Sequence, residues 1–260
     1  MNRENIASPI YVHFKDGVCY GFVAGSTVDA TSVRDCKISQ LIAEQMANFH
    51  SVPFQNLSNA DGSLVLNMSP DGHNLFLWRK LYLFLEIAEK ECIDKLTKNP
   101  KFATIFGSLA EVRAKVEHLE NHINQLLKNS SVKGLIGFCH NDLLLNNILY
   151  DSKTDNLRFI DFEYADFNYA PFDIANHFVE YAGVDDVDFN RYPSKEYQLN
   201  WIRHYLECRY NKLQLGKVSD SDVETWFILV QKFALASYLM WTVWGFVQYQ
   251  YSELDFDFFE

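Results

Sequence analysis

"FCHNDLLLNNILYD", residues 138–151, places a His, an Asp and an Asn at 140, 142 and 147 within a run otherwise rich in leucine. Leucine and isoleucine favour burial, and a buried Asp or Asn without partners costs a few kcal/mol. The polar groups therefore either satisfy one another in a structural loop or line a site. His140, Asp142 and Asn147 fit H-x-D-x-x-x-x-N, the catalytic-loop pattern of kinases. In that pattern the Asp accepts a hydrogen bond from the attacking hydroxyl, and the Asn offers its amide oxygen to Mg²⁺.

A second stretch bears on the choice. "LRFIDFEY" sets Asp161 directly after an apolar β run, 19 residues beyond Asp142. That is where a kinase places the Asp that holds Mg²⁺ on the nucleotide phosphates. Glu163 stands where a protein kinase has Gly, which argues against that class. A turn or capping role is the plainer reading of Asp161 alone, but both halves at this separation favour the metal role.

The surrounding sequence is that of a globular chain large enough to bury a core unaided. Its 260 residues are 48% hydrophobic and 15% aromatic. The net charge of −11 argues against nucleic acid or an anionic membrane as partner. Five cysteines with no C-x-x-C pair read as reduced thiols in a cytoplasmic protein. The first residues lack the apolar core of a signal peptide. The most apolar run, 233–247, is shorter than the ~20 residues of a membrane span.

Two β-rich runs flank Lys15-Asp16-Gly17 and predict a hairpin from Ile10 to Val23. Ile38, Leu41, Ile42, Met46 and Phe49 recur at helical spacing, and the helix stops before Pro53. Residues 55–73 read as a surface loop, 75–96 as one helix ended by Asn99-Pro100. Ser108 and Glu111 form a capping box ahead of an apolar stripe running from Leu109 to Leu126. Three short β runs then carry the polar cluster, and everything beyond Asp173 reads as helix.

"IDFEYADFNYAPFDIANHFVE" (160–180) resembles the choline/ethanolamine kinase signature, with Asp161, Asn168, Asp173 and Glu180 at its spacings. "HNDLLLNN", "YAGVDDVDF" (181–189) and "YSELDFDFF" (251–259) are similar to the ethanolamine branch. The resemblance implies an α+β, protein-kinase-like fold: a mostly helical C-lobe with only the last hairpin of the N-lobe present. The implied division is a hairpin and hinge over 1–26 and a helical C-lobe over 27–260, carrying the catalytic loop, metal site and amino-alcohol pocket.

The implied activity is ATP-dependent phosphorylation of ethanolamine to phosphoethanolamine, the first step of phosphatidylethanolamine synthesis. Asp142 would be the base, with Asn147 and Asp161 on Mg²⁺ and His140 in support. Asp173 reads equally as a helix N-cap or as a group bonded to the catalytic loop. Tyr164, Trp241 and Trp244 would form an aromatic cage for the cationic head, with Glu180 adding charge. Without the resemblance, two Trp three residues apart on an apolar helix would read as core. The backbone at Gly21 and Val23 would meet adenine.

Only about 20 residues fit the small lobe, whose phosphate-binding Lys and phosphate-covering loop are not recognisable; Lys15, in a hairpin turn, is the only early Lys. Choline as substrate, a form that binds the amino alcohol or a full-length partner without transfer, and a homodimer stay open. The Asp185, Asp186 and Asp188 loop reads as solvated.

Overall fold

The computed structural model describes residues 7–15, 17–53, 75–183, 187–254 and 256–259. Two compact units emerge. One comprises Met1–Val65 with Val132–Val230, the other Leu66–Ser131 with Gln231–Glu260. The hairpin belongs to the first unit, and the chain beyond residue 26 contributes to both.

In the first unit, β1 (Ile10–Phe14) and β2 (Gly17–Tyr20) pair antiparallel as an isolated hairpin, with Phe14 opposite Gly17 and an irregularity between Ile10 and Val12. All of its described positions are exposed, including Ile10, Tyr11, Val12 and Phe14. The expected turn residue Asp16 lies outside the described residues. Ahead of the first helix, residues 26–27 form a short strand, β3 (Ser26–Thr27). Gly25 precedes it at φ +137°, and a Cβ there would lie 2.9 Å from the Tyr150 carbonyl carbon. Glycine alone allows that approach.

The helix α1 (Cys36–His50) is capped by Asp35, whose carboxylate accepts from the N–H groups of Lys37 and Ile38. Ile38, Ile42, Met46 and Phe49 are buried, each contributing roughly 1.5–3 kcal/mol of apolar burial. Leu41 is only half-buried. α1 packs along α7 (Lys195–Leu213) and against β4 (Ile136–Cys139).

The three expected β runs are β4, β5 (Ile148–Asp151) and β6 (Asn156–Phe159), with β3, β5 and β6 forming one sheet. A further strand, β7 (Asp166–Tyr169), was not anticipated. It pairs antiparallel with β4, Cys139 opposite Asp166, and runs into α6 (Ala170–Val179). Gly137 lets β4 come close: a Cβ there would lie 2.7 Å from the His50 carbonyl oxygen and 3.0 Å from Arg209. The acidic loop is described only at Asp188, half-buried and capping the turn at 189–191; Asp185 and Asp186 lie outside the described residues.

In the second unit, α2 (Phe76–Ile87) continues through a π-helical turn at Ala88–Cys92 into α3 (Ile93–Leu96). Pro100 does more than end this segment. Asn99 caps a new helix, α4 (Pro100–Phe106), with proline at its first position. The Ser108 half of the capping box is in place: Ser108 Oγ accepts from the Glu111 N–H at 3.2 Å, opening α5 (Leu109–Lys128). Its stripe is buried from Leu109 to Ile123, while Leu126 is half-buried. The expected loop at 55–73 lies outside the described residues.

The last helix, α8 (Asp220–Tyr251), contributes to both units. It is the one described helix long and apolar enough to cross a membrane by length and composition, and half of its most apolar window is buried inside the protein.

Candidate active site

Asp173 organises the loop that opens the polar cluster. It stands in the first turn of α6, which is capped at Tyr169, and its buried carboxylate accepts from the backbone N–H of His140 at 2.8 Å and of Asn141 at 2.7 Å. The His50 ring meets the same carboxylate, Nε2 to Oδ2 at 2.8 Å. Burial alone would raise the Asp173 carboxyl, but His50 and the His140 N–H hold it below its ordinary value, so it stays ionised. Burial keeps His50 neutral.

Behind His50 lies a buried chain. Arg209 Nη1 donates to the Tyr205 hydroxyl at 2.8 Å, and that hydroxyl meets His50 Nδ1 at 2.7 Å. With Arg209 a donor only, the directions run Arg209 to Tyr205 to His50 to Asp173, which fixes the His50 proton on Nε2. Arg209 Nη2 also donates to the Ile136 carbonyl of β4 at 2.8 Å. A fully buried cation thus offsets the buried anion through two neutral relays.

Asn141 turns the chain at φ +66°, a left-handed conformation that Asn tolerates. Its amide donates to the Tyr164 carbonyl at 2.9 Å, and its Oδ1 accepts from Asn168 Nδ2 at 2.8 Å. His140 Nε2 bonds the Ile160 carbonyl at 2.8 Å. Asn147 closes the loop from the other side, its Nδ2 donating to the Asp142 carbonyl at 2.9 Å. The Asn147 carbonyl in turn accepts from the Ile160 N–H at 3.0 Å, which fixes the strand end just before Asp161. Asp161 itself sits at φ +63° and is exposed.

These constraints crowd acids together. Half-burial pushes the Asp142 carboxyl up to about 7, helped by the charges of Asp161, Glu163 and Asp173. Glu180, half-buried after α6, is pushed up to about 8 by burial and then by Asp142. Every contributor to either shift acts in the raising direction. An uncompensated carboxylate cluster with an Asn amide beside it is a hard-oxygen donor set, the chemistry that suits a divalent cation such as Mg²⁺. By donor type, the residues present fit that metal.

The remaining expected residues distribute as follows. Tyr164 is half-buried, with its carbonyl engaged by Asn141. Gly21 is buried and its N–H donates to the Pro9 carbonyl at 2.9 Å. Val23 lines a cleft of about 200 Å³ with Pro9, Phe22, Ala24, Arg158 and Phe159. Trp241 and Trp244 belong to the second unit, half-buried on α8, with ring centroids 5.7 Å apart and planes at 81°. Sequence reading overlooked His50, Tyr205, Arg209 and the locking role of Asn141. His50 was within reach, since it follows Met46 by four residues on the apolar face of α1.

The choline/ethanolamine kinase family profile matches residues 1–260. The chain is 38% identical to a probable ethanolamine kinase of Nematostella vectensis over 100% of its own length and 69% of the relative's. It is also 38% identical to ethanolamine kinase 2 of Rattus norvegicus, over 99% of its length and 59% of the relative's. Its fold matches a solved ethanolamine kinase from Plasmodium vivax at TM-score 0.78 and 28% identity, covering 99% of this chain and 65% of that one. A choline kinase from Cryptosporidium parvum shares the fold at TM-score 0.68 and 24% identity, over 98% and 70% of the two chains. The chain thus spans 59 to 69% of the length of these curated relatives, with a helix-rich α+β, protein-kinase-like fold. With the signature residues of 140–180 and a profile match over all 260 positions, the chain belongs to the choline/ethanolamine kinase family.

Proposed function

We propose that this chain transfers the γ-phosphoryl group of ATP to the hydroxyl of ethanolamine, giving phosphoethanolamine and ADP, the entry step of phosphatidylethanolamine synthesis. The observation that carries the reading is the Asp142 carboxyl, raised to about 7 on a loop whose backbone is held from behind by Asp173. A base poised near the working pH can take a proton during transfer without being permanently protonated.

In this reading Asp142 accepts the hydrogen bond of the amino-alcohol hydroxyl and aims its oxygen at the γ-phosphorus. The new O–P bond forms as the bond from γ-phosphorus to the β,γ-bridging oxygen breaks, and the hydroxyl proton passes to Asp142. Asn147 and Asp161 are the residues that would hold Mg²⁺, which supplies charge neutralisation on the phosphates when bound. Asn147 also keeps the loop closed through its bond to the Asp142 carbonyl. His140 braces the turn against the Ile160 carbonyl. The cleft beside Val23 suits adenine, with the hinge carbonyl of Gly21 close in sequence.

Glu180 takes the substrate ammonium, whose charge would relieve the repulsion that raises both Glu180 and Asp142. A primary ammonium donates hydrogen bonds to a carboxylate and a trimethylated one does not, which favours ethanolamine over choline. A reducing, cytoplasmic setting is part of the same reading, since all five cysteines are free thiols.

Phosphorylation of ethanolamine and choline by the purified chain, with Mg²⁺ and ATP and with Asp142→Ala as blank, tests the proposal. Ethanolamine turnover above the blank supports it. A folded chain that binds ethanolamine and transfers nothing would turn the reading to a non-catalytic binding form.

A further inference from the structure

One polar cluster on α1 and α7 takes no part in the chemistry above. His204 and Cys208 are four residues apart on α7 and so share one face of that helix. Glu44 reaches the same point from α1, its Oε1 3.1 Å from His204 Nε2. One ligand atom from each of Glu44, His204 and Cys208 lies within 4.8 Å of the other two. All three are half-buried, sheltered from bulk water yet open to an entering ion.

From this geometry we infer that Glu44, His204 and Cys208 form a transition-metal site, suited to Zn²⁺, that clamps α1 to α7. A carboxylate, an imidazole and a thiolate together are the ligand set of zinc more than of Mg²⁺ or Ca²⁺, which prefer oxygen alone. Tetrahedral zinc bonds of about 2.0–2.3 Å require ligand atoms roughly 3.3–3.8 Å apart. The 3.1 Å Glu44–His204 pair is already near that spacing, and the Cys208 thiol lies within 4.8 Å of both. Three protein ligands leave the fourth position to water.

The site shares no residue with Asp142, Asn147 or Asp161, yet it grips the two helices whose His50, Tyr205 and Arg209 form the chain to Asp173. α1 carries His50 six residues beyond Glu44, and α7 carries Tyr205 and Arg209 directly beside His204 and Cys208. A metal here would stiffen the pair whose side chains relay to Asp173. Zinc would therefore act as a brace and not as a catalytic ion. The plainer alternative is an ordinary His204–Glu44 ion pair with Cys208 as a bystander.

Cobalt(II) titrated into the full reduced chain, followed by Zn²⁺, separates these. The site predicts a thiolate-to-cobalt charge-transfer band that saturates at one equivalent and is erased by Zn²⁺. Cys208→Ser should lose the band, while Glu44→Gln and His204→Ala should weaken Zn²⁺ binding at least ~10-fold. Asp142→Ala and Cys36→Ser should leave both readouts intact. Zn²⁺ should raise the melting temperature of the wild type and not of Cys208→Ser, with circular dichroism showing that each variant is folded. Absence of the band in the wild type, or its survival in Cys208→Ser, would overturn the assignment.

Discussion

His50 Nε2 lies 2.8 Å from Asp173 Oδ2, and the same carboxylate holds the backbone N–H groups of His140 and Asn141 one step from Asp142. The C-terminal residue of α1 is thereby wired to the loop that carries Asp142 through one buried oxygen. The loop's shape depends on groups far from it in sequence: His50, and behind it Tyr205 and Arg209.

Removing one partner of a buried charge network leaves the other charge uncompensated and costs about 3–5 kcal/mol. Arg209→Met should therefore lower unfolding stability by that order, measured by urea denaturation. His50→Gln keeps two polar ends and should cost less, while lowering kcat roughly 10-fold or more through a displaced loop. KM for ethanolamine should barely change, because His50 touches no substrate. An altered KM with an unchanged kcat would show that His50 does not position Asp142.

The carboxyls of Asp142 and Glu180 give stability a definite pH dependence. Asp142 rises from 3.8 to about 7 on folding and Glu180 from 4.5 to about 8. Between about pH 4 and 8 these two carboxyls hold more protons in the folded state, so their contribution to stability falls as pH rises. His50, His140 and His177, each lowered by burial, give the opposite slope below about pH 6.5. Asp142→Asn should flatten the fall and leave the variant more stable than wild type at pH 8 by on the order of 1–3 kcal/mol without Mg²⁺. Asp173, depressed on folding, gives the opposite slope at lower pH. Equal stability of Asp142→Asn and wild type across about pH 6.5 to 8 would contradict the crowding of these carboxylates.

Gly137 is expected to tolerate no side chain. A Cβ would meet the His50 backbone oxygen at 2.7 Å, and backbone cannot move aside cheaply. Gly137→Ala should destabilise by roughly 1–3 kcal/mol, the usual range for overpacking. Thermal melting would check it, and an unchanged midpoint would show that β4 and α1 sit further apart.

Glu180→Gln should separate the two amino alcohols. Loss of the carboxylate removes charge attraction for both, but only ethanolamine also loses charge-assisted N–H donors. Its KM should rise about 10-fold or more, and the preference over choline should narrow. Equal losses for both substrates would place recognition of the head group elsewhere.

Much of this was legible in the sequence because period and punctuation were strong. The α1 and α5 stripes, the Ser108 capping box and the three β runs follow from spacing alone. β7 was not, because "DFNY" flows without a turn signal into the apolar "APFDIANHF" of α6, and its pairing with β4 is long-range. Nor was the π turn at Ala88–Cys92, which breaks a pattern that local propensity favours as plain helix. The polar motif named Asp142, Asn147 and Asp161, since loop chemistry is local. Its supports are not local: Tyr205 and Arg209 lie more than 60 residues past Asp142, on a largely polar helix where a buried Arg carries no signal in the sequence.

The central claim is that Asp142 is the base of a phosphoryl transfer to an amino alcohol. The most direct measurement is initial rates of ADP formation with Mg²⁺, ATP and ethanolamine from pH 5.5 to 9, wild type beside Asp142→Ala and Asp142→Asn. The account predicts wild-type kcat/KM rising with pH through an apparent value near 7, and a loss of at least ~10³-fold in kcat for both folded variants. Turnover retained in Asp142→Ala would contradict it.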